Sequence, residues 1–329
     1  DGGSGVPVEA AATTVVEADP TTADDVGAVA ATLRGVADAG TLTDESVQDA
    51  LAHLSKVVST PATRVELSGI ELDAARSDAG EVADVPTVAA RLDVLADDVE
   101  SVESAVGELD SDLRTLADRV TKEVVADEGA GGAAVEVYEV AAERERIHAE
   151  ATRLQAPADD LTTEIESFRQ WLARPSVRHE ELRADAAELT DAVDALEQSV
   201  EEVADASESA ESERSNADVA EAWFDCSIRC RVLALQAADI RAAAADVSTV
   251  DGRLGSDPEE PAVGSVRAQA DDLADHLGAT AGRLDVLARP AWRERYGSRL
   301  PSFDESLATF EPPVEWGAVL TALEDVRDD

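Results

Sequence analysis

Between residues 88 and 120, apolar side chains recur at alternating intervals of four and three residues, and only a long helix keeps such a pattern on one side. The members of this first stripe are Val88, Leu92, Leu95, Val99, Val102, Val106, Leu109, Leu113, Leu116 and Val120. Spacing of this kind is a heptad repeat, which places every member on one face of a helix. The pattern predicts a helix of about 40 residues, or about 60 Å at 1.5 Å per residue.

Four further heptad stripes follow, over residues 137–172, 182–203, 219–247 and 266–287. Arg144 falls on the apolar face of the second stripe and Pro157 lies within it, so we expect a kink or a break there. The polar segments 207–216 and 252–261 are predicted to be loops.

Five long helices joined by short links favour an antiparallel arrangement within one chain. Residues 86–289 are therefore predicted to form an elongated antiparallel helical bundle or coiled coil. The alternative is a coiled coil between separate chains. The links at Gly129–Gly132 and at Arg174-Pro175 are much shorter than the helices they join, which favours hairpins.

A smaller helical domain is predicted for residues 7–80, after a Gly-rich and Ser-rich segment, residues 1–6, that we expect to be disordered. Four short helices fit this region. Thr22 is the expected N-cap of the second helix, and Thr43 or Ser46 that of the third. Pro61 is expected to separate the third helix from the fourth.

The C-terminal residues 290–329 combine aromatic and basic side chains that are scarce elsewhere in the chain. We expect short helices here, broken at Pro301 and at Pro312-Pro313. The candidate site residues are Arg289, Trp292, Arg293, Arg295, Tyr296, Arg299 and Trp316. Two interpretations remain open. The rings close the end of the bundle while the arginines pair with carboxylates, or the segment docks an acidic protein partner.

The charge of the chain is extreme, with 72 acidic residues against 27 basic ones and a net charge of −45. Only Lys56 and Lys122 are lysines, and the acidic residues are spread through all the periodic segments. Such a surface is typical of proteins that work in molar salt, where charge is screened over about 3 Å. Halophilic adaptation is therefore predicted. A nucleic-acid partner is not expected, because the chain repels phosphate and high salt weakens such binding.

Aromatic residues make up 3% of the chain, so the core must consist mainly of Ala, Val and Leu. This composition favours helix and argues against a large sheet. No apolar run approaches the roughly 18 residues of a membrane span, and no signal peptide is visible. We expect an all-α, cytoplasmic protein without a membrane span.

No residue pattern indicates a catalytic, metal or cofactor site. Cys226 and Cys230 lie four residues apart on the fourth stripe and are predicted to be buried hydrophobic residues. The four histidines are isolated and are expected at the surface or at helix ends; they are His53, His148, His179 and His276. The Gly129 run follows a helix and lacks the glycine spacing of a phosphate loop. The chain is therefore predicted to be a non-enzyme without a cofactor.

Three stretches together resemble a known family. They are DALAHLSKVV at residues 49–58, LARPAWRERYG at 287–297 and FEPPVEWG at 310–317. In this order they resemble the haloarchaeal proteins called halo transducer proteins. The resemblance implies a haloarchaeal origin and a link to sensory transducers. The sequence lacks the transmembrane pair and the Gln-rich, Ala-rich signalling tip of true transducers, so no functional residue is carried over.

These observations favour a structural or protein-interaction helical bundle linked to signal transduction. The alternative is a regulatory adaptor that binds a partner or a small ligand through its N-terminal or C-terminal helices. The identity of a protein partner and the oligomeric state do not follow from the sequence.

Overall fold

The structure is a computed structural model that describes residues 5–18, 25–125, 134–209, 213–255 and 260–328. The prediction of an all-α fold is confirmed. In the described residues the only sheet consists of two short antiparallel strands, β1 (Val6–Pro7) and β2 (Thr41–Leu42), in which Val6 lies opposite Leu42. Residues 1–4, in the segment expected to be disordered, lie outside the described residues, whereas Val6 is part of β1.

The helices are numbered in chain order. They are α1 (Val8–Ala18), α2 (Val26–Arg34), α3 (Asp44–Ala79), α4 (Pro86–Arg119), α5 (Ala134–Arg153), α6 (Gln155–Ala173), α7 (Pro175–Ser209), α8 (Glu213–Arg253), α9 (Glu260–Leu287), α10 (Pro290–Tyr296), α11 (Arg299–Leu307) and α12 (Trp316–Asp328). A 3-10 turn (Gly80–Val82) follows α3, and a π-helical segment (Val120–Val125) continues α4. None of the described helices is both long and apolar enough to cross a membrane.

The chain divides into two compact units. Unit 1 comprises Asp1–Ser77 and Leu92–Phe168, and unit 2 comprises Asp78–Arg91 and Arg169–Asp329. This division differs from the sequence-based one, which separated residues 7–80 from a bundle over 86–289. The reason is that α1 and α2 pack on α5, so the N-terminal helices share a core with the second heptad helix.

The core of unit 1 is aliphatic. Val8 of α1, Leu33 of α2, Leu54 of α3 and Ile147 of α5 are fully buried in one cluster, together with Leu116 of α4. Contacts along α4 and α5 show the relative direction of these two helices. Asp112 pairs with Arg146, and Arg119 donates to Glu139 at 2.8 Å, so α4 and α5 are antiparallel.

Helix α3 is longer than expected. Its N-cap is reciprocal, because the Ser46 amide donates to Thr43 Oγ1 and the Thr43 amide donates to Ser46 Oγ, both at 3.0 Å. The expected boundary at Pro61 is wrong, since α3 continues through this proline for another five turns. Pro61 is buried, so the packing of its ring compensates for the missing amide. The N-cap of α2 is Asp25, whose carboxylate accepts from the Ala28 amide at 2.8 Å, while Thr22 lies outside the described residues.

The second heptad stripe is interrupted near Pro157 as predicted. Helix α5 ends at Arg153 and α6 begins at Gln155, because Pro157 has no amide hydrogen to donate to the carbonyl of Arg153. The predicted end at Arg174-Pro175 is also confirmed, with α7 beginning at the proline. The predicted glycine break at Gly129–Gly132 lies outside the described residues.

Three long helices of unit 2 pack against one another pairwise: α7, α8 and α9. Ser199 contacts Arg229, and Asp251 contacts Arg178, so α7 and α8 are antiparallel. Cys230 contacts the carbonyl of Leu277, and Trp223 that of Leu284, so α8 and α9 are antiparallel as well. The antiparallel order predicted from the short links is therefore present in this three-helix bundle.

Two predicted loops are shorter than expected. Helix α7 extends to Ser209 and α8 begins at Glu213, so most of 207–216 is helical. Likewise, α8 continues to Arg253 and α9 begins at Glu260. Polar composition alone suggested loops here. A helix whose apolar residues are already packed can, however, continue for another turn through exposed polar residues. Pro301 does not break a helix either, because it lies in the first turn of α11, where a missing amide costs nothing.

Candidate functional site

The two rings of α10 lie against the N-terminal half of α8. Trp292 is 1% exposed, and its ring centre is 5.9 Å from that of Trp223. Tyr296 stacks on Phe224, with ring centres 4.4 Å apart and planes inclined by 12°. Because Trp292 and Tyr296 are four residues apart, they share the buried face of this short helix. Both rings are therefore part of the interior of unit 2 and are not presented at its surface.

The arginines around these rings are held in a different way from that expected. Arg289 donates to Asn216 Oδ1 at 3.0 Å and to the carbonyl of Ser207, and its guanidinium lies 5.4 Å from the Trp292 ring centre. Arg299 lies 4.7 Å from the Phe224 ring centre and donates to the carbonyl of Val326. Among the described residues, rings, an amide and carbonyls contact these two arginines in place of the expected carboxylates.

The remaining candidate residues of this segment are more exposed. Arg293 donates to Asp285 Oδ1 at 2.9 Å, and within the described residues this is the one carboxylate pair of the four candidate arginines. Arg295 is exposed, with its guanidinium 5.0 Å from the Tyr296 ring centre. The hypothesis of a docking site for an acidic partner is thus left with Arg293 and Arg295 as its exposed side chains.

Trp316 is separate from this ring cluster. It is half-buried at the start of α12, and its Nε1 donates to Asp239 Oδ2 at 3.0 Å. The other oxygen of Asp239 accepts from the Val314 amide at 3.0 Å. A single carboxylate of α8 therefore anchors the segment that leads into α12. These contacts agree with the structural interpretation of the C-terminal residues as a cap on unit 2.

A second polar cluster, which was not predicted from the sequence, lies near the start of α7. The Arg178 side chain is fully buried and donates to Asp251 Oδ1 through Nε at 3.2 Å. The same guanidinium donates to the last carbonyls of α6, those of Trp171 at 2.7 Å and Leu172 at 2.8 Å. His179 Nε2 lies 2.7 Å from Asp251 Oδ2. The cluster ties α6, α7 and α8 together.

His179, which was expected at the surface or at a helix end, is 4% exposed and lies near the start of α7. A signal was present in the heptad stripes. The position three residues before Leu182 in the third stripe is His179, and the position four residues after Val247 in the fourth stripe is Asp251. Polar side chains at the continuation of two apolar stripes predict a buried polar contact between the helices. Of the other histidines, His53 and His276 are exposed, and His148 is half-buried beside Ile147.

The two cysteines lie in the interior of unit 2. Cys226 is 4% exposed and Cys230 is 2% exposed, as predicted from their stripe. Burial raises the pKa of the Cys226 thiol to about 11, and it also raises the pKa of Cys230. Both side chains are therefore protonated at neutral pH. Across the described ranges, no group of three or more His, Cys, Asp or Glu side chains is placed to hold a metal ion.

Unit 1 carries an open groove between α3 and α4, which we call the α3–α4 groove. Its volume is about 940 Å³. The groove floor consists of aliphatic side chains spaced seven residues apart on each helix: Val58, Val65, Leu72, Val99, Val106 and Leu113. The groove rim is acidic, with Glu66, Asp73, Glu100, Glu103 and Asp110. Arg76 is the one cation among the described residues that line the groove, and it pairs with Asp73 at 3.2 Å.

The shape of the groove follows from the small residues beside its floor. Ala62 and Gly69 on α3, and Ala96 and Gly107 on α4, line it without filling it. A Cβ atom added at Gly69 or Gly107 would meet nothing within 4 Å. Ile70, which also lines the groove, is 60% exposed. The groove is thus an open channel between two helices in which Ile70 is the exposed large apolar side chain, while the floor residues Val58, Val65, Leu72, Val99 and Val106 are buried.

Comparisons with known proteins give no match to this chain, whether to a family model, to a curated protein or to a solved structure.

Proposed function

We propose that the protein is a non-enzymatic helical scaffold that binds another protein in the cytoplasm of a haloarchaeon and contributes to signal transduction. The observation that carries this proposal is the α3–α4 groove. Helical proteins recognise partner helices with grooves that have an apolar floor and a polar rim. The groove floor and Ile70 supply such a surface on unit 1.

The buried polar groups of unit 2 support the non-enzymatic part of the proposal. Arg178, His179 and Asp251 satisfy one another and the end of α6, and none of them lines the α3–α4 groove. The cysteines are buried and protonated at neutral pH, which is the opposite of a reactive thiol. These groups have structural roles that account for their positions.

The haloarchaeal setting rests on the excess of acidic over basic residues and on the resemblance of three segments to halo transducer proteins. Molar salt screens the repulsion between these carboxylates. The same family resemblance supports the link to signalling, in which a helical adaptor would connect a receptor to downstream proteins.

Affinity purification in molar KCl tests this proposal. The tagged protein is expressed in a haloarchaeal host, captured together with bound proteins after cross-linking, and analysed by mass spectrometry. An equally acidic haloarchaeal protein of unrelated fold serves as the control bait. We expect specific protein partners cross-linked to α3 or α4. Enrichment equal to that of the control bait would contradict the proposal.

A further inference from the structure

The α3–α4 groove has a repeat that specifies the shape of its occupant. The groove floor places Val58, Val65 and Leu72 on one side, and its side on α4 repeats with the same seven-residue period. Matching heptad spacing on two neighbouring helices creates holes that receive the side chains of a third heptad helix. The small residues Gly69 and Gly107 allow its backbone to approach closely.

The length of the groove sets the length of this helix. On α3 the lining residues extend from Ser55 to Arg76. At 1.5 Å per residue this corresponds to about 30 Å, which is the length of a helix of about 20 residues.

The charge of the groove rim indicates which side chains flank the apolar stripe of the occupant. Within the described part of the chain, Glu66, Glu100 and Glu103 have no ion-pair partner. They stand at the edges of an apolar floor, where the flanking positions of a docked heptad helix would lie. Carboxylates at these edges favour Arg or Lys at the facing positions.

A second copy of this chain is a poor match for the groove rim. The chain carries a net charge of −45, and its acidic residues are distributed over all its long helices. Docking another copy would place carboxylates against the carboxylates of Glu66, Glu100 and Glu103. The geometry therefore points to a different protein.

We infer that the α3–α4 groove binds a partner helix of about 20 residues whose heptad apolar stripe is flanked by Arg or Lys. This inference rests on the proposed function, because it names the chemistry of the partner at that same surface. Binding combines burial of the apolar stripe on the groove floor with ion pairs along the groove rim. In molar salt the ion pairs are screened, so burial of the stripe supplies most of the affinity.

Synthetic peptides of three heptads test the inference by fluorescence anisotropy with the full chain. One series carries Arg at the flanking positions, a matched series carries Glu there, and each series varies the stripe residues among Leu, Ile, Val and Ala. We expect an Arg peptide to bind in a 1:1 ratio. Several screened rim pairs should make it bind about tenfold more tightly than its Glu counterpart, and this ratio should fall as KCl is raised.

Filling the groove provides the decisive variant. In Gly69→Leu combined with Gly107→Leu, the new side chains enter open space, so the protein should melt at an unchanged or higher temperature. We expect binding of the Arg peptide to fall at least tenfold. The matched control is Gly278→Leu, an equally open helical glycine of α9 in unit 2, which should leave the affinity unchanged.

Three outcomes would overturn the inference: no Arg peptide binds, the Glu series binds equally well, or the filled variant binds like the wild type. Self-association of the protein that is lost in the filled variant would also overturn it, in favour of a second copy as the occupant. The filled variant separates this inference from the proposed function. If it still captures the partners found with the wild type, the scaffold role stands and the groove assignment fails. If the Arg peptide binds as expected while no partner is captured, the groove assignment stands and the scaffold role fails.

Discussion

Arg178 shows how the contacts of a single side chain can hold several helices together. Its side chain has no exposed area, and it donates to Asp251 on α8 and to the carbonyls of Trp171 and Leu172 at the end of α6. Removing it would leave a buried carboxylate and two helix-terminal carbonyls without these donors. Breaking a buried ion pair in this way is far more costly than losing an exposed one.

Arg178→Met is therefore expected to lower the free energy of unfolding by about 3–5 kcal/mol. Urea denaturation in molar KCl, followed by circular dichroism, measures the change. The matched control is Arg183→Met, because Arg183 lies on the same helix but pairs with Glu180 at the surface, with 45% and 81% of the two side chains exposed. That variant should change the free energy of unfolding by less than about 1 kcal/mol. Equal effects of the two substitutions would contradict a structural role for the buried cluster.

The cysteines allow a second test at the scale of single residues. A thiol reagent attacks the thiolate, and burial raises the pKa of Cys226 from 9.0 to about 11. At neutral pH this shift alone reduces the thiolate fraction about 100-fold. We expect slow labelling of the native protein and rapid labelling after unfolding. The native rate should keep rising with pH up to about 11.

The raised pKa of Cys226 also determines the direction in which stability changes with pH. The thiol of Cys226 is protonated more tightly in the folded state, so its stabilising effect is complete below pH 9.0 and is lost as the pH rises towards about 11. Cys226→Ala removes this titration and is the control for both measurements. Native labelling as fast as that of the unfolded chain would contradict the buried position of the thiols.

At the scale of helices, the long elements could be predicted from their heptad stripes, whereas several boundaries could not. A stripe such as that of α4 predicts burial directly, because its apolar side chains need another apolar surface to pack against. Proline and polar residues indicate only the local preference of the backbone for helix or loop. At Pro61 the packing of α3 outweighs the lost hydrogen bond, while at Pro157 the helix does break. Local sequence gives the same signal at both positions, so tertiary contacts decide the result.

The candidate site shows the same limit. The spacing of Trp292 and Tyr296 predicts a shared helical face, but their contacts with Trp223 and Phe224 join residues about 70 positions apart. The Arg178 cluster was missed because charged residues at the ends of apolar stripes were not recognised as their continuation. The α3–α4 groove depends on how two helices pack beside each other, and the heptad stripe of one helix does not predict that packing.

The cap formed by α10 supplies the prediction at this scale. Trp292→Ala removes a ring that is 1% exposed and should lower the free energy of unfolding by about 3–5 kcal/mol. Thermal unfolding in molar KCl measures the loss. Trp292→Phe, which keeps a ring but loses the donor to Asn216, should have a smaller effect.

The control for the cap is Val286→Ala, since Val286 lies on the preceding helix with 85% of its surface exposed. It should change the free energy of unfolding by less than about 0.5 kcal/mol. If Trp292→Ala left the melting temperature unchanged but abolished capture of a partner, the docking hypothesis would replace the structural one. A variant altered in neither property would defeat both hypotheses.

At the scale of the whole molecule, the most prominent feature is the excess of negative charge. The net charge is −45, and most described ion pairs are exposed, so local pairing cannot offset the repulsion between the unpaired carboxylates. The cores of both units are built from Ala, Val and Leu with few large rings. Such cores supply limited apolar burial per residue. We therefore expect the folded state to depend on solvent ions that screen the carboxylates.

The last prediction follows from this balance. In about 2 M KCl, where charges are screened within a few ångströms, the protein should be fully helical. At about 0.1 M KCl the Debye length grows to about 10 Å, carboxylates on neighbouring turns repel one another, and the helix signal should fall. Far-UV circular dichroism during a KCl titration measures the transition. A variant with exposed acids of α4 neutralised, Asp97→Asn, Asp98→Asn and Glu108→Gln, should fold at lower KCl than the wild type, because less repulsion remains to be screened. Full helicity and an unchanged melting temperature in dilute buffer would refute the salt adaptation of this chain.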